Sequence, residues 1–146
     1  MNRTDDPAGQ PIALHGRVLV ACEDPGDLEI LAKHLERQGL EVHSAPDGLA
    51  AREMVKSTAF DLVFLGASNP ALGGQETLVK MNETPATRHI PVIIVTRADG
   101  IDEAIRGIEA GADDHLPKPF HPVLLRARVM TCLEKKALGE AGLRHL

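Results

Sequence analysis

Short apolar runs alternate five times with segments whose apolar residues recur at helical spacing, and this alternation constrains the fold more than any other feature. The runs are rich in Val, Ile and Leu, which predicts strands. The predicted strands are Arg17–Ala21, Glu41–Ser44, Asp61–Leu65, Pro91–Val95 and Asp114–Leu116. The predicted helices are Gly26–Gln38, Asp47–Ser57, Gly74–Glu83, Ile101–Ala110 and Pro122–Leu138. Five strand–helix units joined by short connections predict an α/β chain with a five-stranded sheet.

The first strand indicates how that sheet is built. Val18, Leu19 and Val20 are all apolar, whereas a strand with one face in water would alternate apolar and polar residues. Helices therefore cover both faces of a parallel, doubly wound sheet, in three α/β/α layers. In such sheets ligands bind beyond the carboxyl ends of the strands. We expect functional residues in the segments Ala21–Asp24, Leu65–Gly66, Val95–Thr96 and Pro117–Lys118.

The composition fits one globular domain and excludes several function classes. Of the 146 residues, 43% are hydrophobic and 25% are charged, which is ordinary for a globular protein. The net charge is −5, and the aromatic residues are three Phe with no Trp or Tyr, so we expect no nucleic-acid interface. No apolar run approaches the roughly 18 residues of a membrane span, and no signal peptide is evident, so a cytoplasmic location is expected. Cys22 and Cys132 lack the spacing of a disulfide framework or a zinc site.

Three separated motifs give a more specific signal. The run Asp61–Gly66 ends at a loop that contains Asn69-Pro70 and Gly73-Gly74, the run Pro91–Thr96 ends in a hydroxyl, and the segment Gly111–Phe120 leads into a Lys-Pro turn. Over roughly residues 17 to 137, these motifs and the element order resemble the CheY-like receiver domain of two-component response regulators. The resemblance implies a (βα)5 flavodoxin-like fold and a role in phosphorelay signal transduction, without a separate enzyme activity. It also implies a cis bond between Lys118 and Pro119.

The resemblance also shows what is missing. Family members carry a phosphate-accepting aspartate where this chain has Gly66, so it implies a pseudo-receiver that is not phosphorylated at the usual site. Of the two acidic positions that follow the first strand in the family, one is Cys22 and the other is Glu23, with Asp24 next. Thr96 and Lys118 match the hydroxyl and the lysine of the family's pocket.

The charges of this degenerate pocket predict that magnesium binding is lost or weak, and no other cofactor is expected. The family's pocket has three carboxylates and one lysine, which a divalent cation balances. Here Glu23 and Lys118 sum to about zero, and we expect the two to pair with each other. Asp24 would restore metal binding only if its side chain turned inward. The sequence leaves that point open.

Several pocket residues have alternative interpretations. Cys22 is expected to be a small buried side chain, but a redox sensor is the alternative, because Lys118 could lower the pKa of its thiol. Ser68 is the nearest other phosphate acceptor, although no base is evident to activate its hydroxyl. Thr96 and His115 occupy the family's switch positions. We expect His115 to be a half-exposed packing residue, with pH sensing as its alternative.

The ends of the chain and its partners complete the expectations. Residues 1–16 are predicted to be a flexible leader, residues 17–138 the domain, and residues 139–146 a tail or the start of a connector to an output domain. Receivers of this kind commonly associate through the stretch that corresponds to Ile101–Leu138, here as a homodimer or with another protein. A histidine kinase and a fused output domain, in some relatives a nucleotide cyclase, are the other implied partners. No membrane partner is expected.

Overall fold

The computed structural model describes residues 13–66 and 74–144, with side chains described as far as residue 139. The strands are β1 Arg17–Ala21, β2 Glu41–Ala45, β3 Leu62–Gly66, β4 Val92–Thr96 and β5 Asp114–Pro117. The helices are α1 Pro25–Arg37, α2 Gly48–Ser57, α3 Gly74–Glu83, α4 Ile101–Glu109 and α5 Pro122–Arg144. The predicted order of elements is confirmed, and every boundary except the end of α5 lies within one residue of its prediction. Within the described ranges, no helix is long and apolar enough to cross a membrane.

All five strands lie parallel in one sheet, in the order β2-β1-β3-β4-β5. The direction of chain progression reverses between β1 and β3, which makes their carboxyl ends the topological switch point. This arrangement is the predicted doubly wound, flavodoxin-like fold. It brings the segments that follow β1, β3, β4 and β5 to one edge of the sheet.

The core consists of two apolar layers, one on each face of the sheet. Val18 and Val20 pack with α1 and α5, whereas Leu19 and Ala21 pack with α2 and α3. Because successive strand residues point to opposite faces, a sheet covered on both sides needs strands that are apolar throughout. Val18, Leu19 and Val20 are fully buried, as the unbroken apolar run predicts.

The ends of the helices follow from local chemistry. Asp47 caps α2 by accepting a hydrogen bond from the amide of Ala50 at 2.8 Å. Gly39 follows α1 with a φ of +99°, and its amide donates to the carbonyl of Glu36 at 3.0 Å. A glycine is favoured there because a Cβ would lie 2.6 Å from the Leu14 carbonyl oxygen.

Helix α5 is longer than the sequence predicts. It was expected to end at Leu138, but it continues to Arg144. The segment after Cys132 is rich in Leu, Glu, Lys and Ala, which are strong helix formers, so Gly139 does not end the helix. The predicted tail is therefore helical as far as Arg144, and residues 145–146 lie outside the described residues.

Candidate functional site

The candidate site lies at the carboxyl edge of the sheet, where the ends of four strands meet. Ala21 pairs with Leu65, Gly66 pairs with Val95, and Thr96 pairs with Pro117. Because the strands are parallel and in register, the residues just after β1 and β5 flank Gly66 and Thr96. The predicted pocket residues are thus brought to one edge, with the exception of Ser68, which lies outside the described residues.

The Glu23 carboxylate lies beside the point where a side chain at position 66 would begin. An ideal Cβ built on Gly66 would lie 2.7 Å from Oε2 of Glu23 and 3.5 Å from the carbonyl oxygen of Ala21. Real Cβ atoms do not approach an oxygen as closely as 2.7 Å, so a side chain at position 66 would displace the Glu23 carboxylate. Oε2 is the free end of a flexible side chain, so a residue larger than glycine at position 66 would require the Glu23 carboxylate to shift.

Lys118 does not use the partner that the sequence predicts. Its Nζ donates to Oδ2 of Asp27 at 2.5 Å, so the expected pairing with Glu23 is wrong. Asp27 lies in the first turn of α1, which points its carboxylate toward the end of β5. Burial alone would lower the pKa of the Lys118 ammonium group, but the hydrogen bond and the charge of Asp27 outweigh burial and raise it.

Asp24 is engaged at the start of α1. Its Oδ1 accepts hydrogen bonds from the amide of Gly26 at 2.8 Å and from the amide of Asp27 at 3.3 Å. Pro25 then occupies the first helical position, where no amide hydrogen is needed. The inward turn that the sequence left open for Asp24 would break this cap, at a cost of about 0.5–2 kcal/mol.

The fit of magnesium can be tested on these carboxylates, because Mg²⁺ needs oxygen ligands in near-octahedral geometry. Glu23 lies against Gly66, Asp24 caps α1, and Asp27 binds Lys118. Among the described residues, no group of three or more His, Cys, Asp or Glu is arranged to hold a metal ion. The residues present do not fit the family's magnesium ion, since their carboxylates serve three separate purposes.

The Cys22 thiol is buried, at 5% exposure, and is not part of a disulfide. Burial, together with the charges of Glu23 and Asp27, raises its pKa to about 12, and the opposing effect of Lys118 is smaller. The thiolate that reacts with oxidants is therefore scarce near neutral pH. The condition that the redox alternative needs, a pKa lowered by Lys118, is not met.

The two switch positions differ in exposure. Thr96 is 1% exposed, and its carbonyl oxygen accepts a hydrogen bond from the amide of Lys118 at 3.0 Å. This hydrogen bond joins the ends of β4 and β5. The Lys118–Pro119 peptide bond that follows is cis, as expected. The His115 side chain is one-third exposed, with Nδ1 lying 3.9 Å from Asp114, which agrees with the half-exposed position predicted for it.

Helix α4 carries a feature that the sequence analysis missed. Its buried residues are Glu103, Ala104 and Gly107, while three isoleucines face outward. We call these residues the isoleucine stripe: Ile101 is 64% exposed, Ile105 48% and Ile108 47%. Their spacing of four and three residues, visible in the sequence, could have revealed one face of a helix, but not that this face points away from the sheet.

Comparison with known proteins identifies the family. Residues 18–130 match the sequence profile of the response regulator receiver domain. The chain belongs to this family. It is 35% identical over 116 residues to response regulator PleD of Caulobacter vibrioides, which covers 80% of this chain and 26% of that protein. It is also 35% identical over 124 residues to response regulator MprA of Mycobacterium ulcerans, covering 85% of this chain and 53% of that protein.

Solved structures agree with this assignment. A candidate response regulator of Chloroflexus aurantiacus superposes with a TM-score of 0.78 at 29% identity, covering 83% of this chain and 99% of that one. The signal receiver domain of a histidine kinase from Syntrophus aciditrophicus gives a TM-score of 0.73 at 28% identity, covering 82% and 90%. The chain spans about a quarter of the length of PleD and about half of the length of MprA.

Proposed function

We propose that this receiver domain of a two-component response regulator works without phosphorylation at position 66 and signals through contacts with other proteins. The observation that carries the proposal is the contact between Gly66 and Glu23. The residue that would supply the attacking oxygen has no side chain, and the Glu23 carboxylate lies 2.7 Å from the point where that side chain would begin. Receiver domains in general act in signalling, and no enzyme activity is proposed for this one.

The ion pair between Lys118 and Asp27 supports the same proposal. In phosphoryl transfer, cationic groups neutralise the charge that builds up on the transferring group. Here the Lys118 ammonium already binds a carboxylate at 2.5 Å. Lost or weak magnesium binding is part of the proposal, since Glu23, Asp24 and Asp27 are directed to other contacts. The cytoplasmic location that the sequence favours is also part of it.

The first test is phosphoryl uptake by the unmodified chain. We expect no added phosphoryl group in the intact mass after incubation with acetyl phosphate and Mg²⁺, because no carboxylate is presented at residue 66. A receiver domain that has the aspartate, treated in parallel, confirms that the reagent is active. A phosphoryl group that hydroxylamine removes would be an acyl phosphate and would overturn the proposal. A group that resists hydroxylamine would favour a hydroxyl acceptor such as Ser68.

The contact surface is proposed to include the isoleucine stripe, with a second copy of the chain as its partner. Three isoleucines that are each about half exposed or more form a continuous apolar face on one helix, and such faces mark interaction sites. The stripe lies within Ile101–Leu138, the stretch through which the family resemblance implies association. Val123, in the first turn of α5, is also 73% exposed. A histidine kinase or a fused output domain remains a further proposed partner.

Ile105→Asp is expected to weaken self-association at least about tenfold, since it removes an exposed apolar side chain that the contact would bury and puts a charge in its place. Sedimentation velocity over a range of concentrations measures this effect. Ile30→Asp is the matched control, because Ile30 lies on α1 and is 50% exposed, close to the 48% of Ile105. An unmodified chain that stays monomeric at high concentration would exclude the homodimer. Equal weakening by both substitutions would exclude the isoleucine stripe as its interface.

A further inference from the structure

A groove beside the candidate site has no role in the proposed function so far. It lies between α1, the connection from β4 to α4 and the connection from β5 to α5, and its volume is about 490 Å³. Volumes of about 300–1,000 Å³ are typical of small-molecule sites. We call it the α1–β5 groove. Its lining includes Asp27, Ile30, Arg97, Lys118 and Phe120.

The walls of the α1–β5 groove are largely apolar. Ile30 is 50% exposed on α1, and Phe120 follows β5 with one side packed against the core. Pro119 lies between Lys118 and Phe120 and also lines the groove. Packing against the core anchors Phe120, so this wall is formed before any ligand arrives. An apolar body of one or two rings would remove the exposed surface of Ile30 from water.

Arg97 carries the N–H donors that an anion in the groove would use. The lining also contains Lys118 and Asp27, which bind each other, so with the Arg97–Glu103 pair the four charges sum to zero. Arg97 donates from one nitrogen to Glu103 at 2.8 Å, and its side chain is 63% exposed. A guanidinium group has five N–H donors in a planar fork, so most of them remain available to a carboxylate or a sulfonate.

We propose that the α1–β5 groove binds a small organic anion, with its carboxylate or sulfonate on Arg97 and its apolar body between Ile30 and Phe120. The ligand would contact α1, the end of β4 and the end of β5 at the same time. The proposal rests on the proposed function in one respect. It assumes that the signal the domain receives is the bound ligand and not a phosphoryl group.

Naphthoate, and its uncharged analogue naphthamide, are the probes for an NMR titration of the ¹⁵N-labelled full chain. We expect naphthoate to give saturable shifts at the amides of Ile30, Ala98 and Phe120. Naphthamide should bind the same place about tenfold more weakly, because it lacks the charge-assisted hydrogen bonds to Arg97. Equal binding of both probes would overturn the choice of an anion, and the absence of saturable shifts at these amides would overturn the site.

Substitutions separate the α1–β5 groove from other apolar surfaces. Ile30→Asp is expected to weaken naphthoate binding at least about tenfold, whereas Ile105→Asp, a change of the same kind on α4, leaves it unchanged. Arg97→Gln should remove the preference for naphthoate over naphthamide, and Arg97→Lys should retain part of it. Loss of binding with Ile105→Asp would assign the probe to the isoleucine stripe and contradict the proposal. Phosphoryl uptake, measured separately, tests the proposed function whichever result the titration gives.

Discussion

Phe64→Ala is expected to lower the free energy of unfolding by about 3–5 kcal/mol, the range for emptying a fully buried aromatic site. Phe64 is 0% exposed and lies in β3, where it pairs with Val20 on one side and Ile93 on the other. Its ring belongs to the layer that includes Leu116 and Leu125. A cavity at this point would remove packing contacts between the sheet and the helices on this face.

Urea denaturation measures the effect as a lower midpoint with an unchanged slope. Phe120→Ala is the matched control, because Phe120 packs against the same layer but is only partly buried, so its loss should cost much less. If Phe64→Ala prevents folding, Phe64→Leu keeps most of the apolar volume and yields a measurable, smaller loss. Equal losses for Phe64→Ala and Phe120→Ala would show that the burial of Phe64 does not carry the stability of the sheet.

The fold could be predicted from the sequence because its signals are local and agree with one another. The apolar run Val18–Val20 requires helices on both faces of the sheet, and the alternation of apolar runs with helical spacing gives the order of the elements. The predicted end of α5 is wrong because nothing in the sequence stops this helix once Gly139 is tolerated within it. Burial against the sheet does not determine where a helix ends after it has left the sheet.

The sequence predicts which residues form the candidate site, but not which of their charged side chains bind each other. Cys22, Glu23, Gly66, Thr96 and Lys118 meet at one edge because parallel strands bring their carboxyl ends together. Which carboxylate binds Lys118 depends on how far each side chain reaches. The sequence favours Glu23 because it is the one carboxylate counted in the pocket, whereas the structure uses Asp27 in the first turn of α1.

The orientation of α4 was also beyond the sequence. Amphipathic spacing normally places the apolar face inward, and the isoleucine stripe has that spacing. Gly107, however, lies so close to β4 that a Cβ would be 2.7 Å from Cγ1 of Ile94. This close approach needs small residues against the sheet, which turns the isoleucines outward. A contact between one glycine and a distant strand cannot be inferred from periodicity.

Phosphoryl uptake should become detectable in a triple variant, Cys22→Asp, Glu23→Asp and Gly66→Asp. We expect the triple variant to react at least about tenfold faster than the double variant Cys22→Asp and Gly66→Asp, which keeps Glu23. A tenfold difference in rate corresponds to about 1.4 kcal/mol in the barrier. The double variant restores the missing carboxylates, but its new side chain at position 66 meets the Glu23 carboxylate at 2.7 Å from the Cβ. Aspartate at position 23 is shorter by one methylene group and leaves that space free.

The measurement is the rate of mass gain with acetyl phosphate and Mg²⁺. A carboxylate oxygen introduced at position 66 attacks phosphorus, the bond from phosphorus to the acetyl oxygen breaks, and acetate leaves. Equal rates in the double and triple variants would show that Glu23 swings away at no cost. A third variant, with Glu23→Gln in place of Glu23→Asp, keeps the length and removes the charge. If this third variant reacts as slowly as the double variant, the space at position 66 limits the reaction. If it reacts as fast as the triple variant, repulsion between the carboxylates limits the reaction.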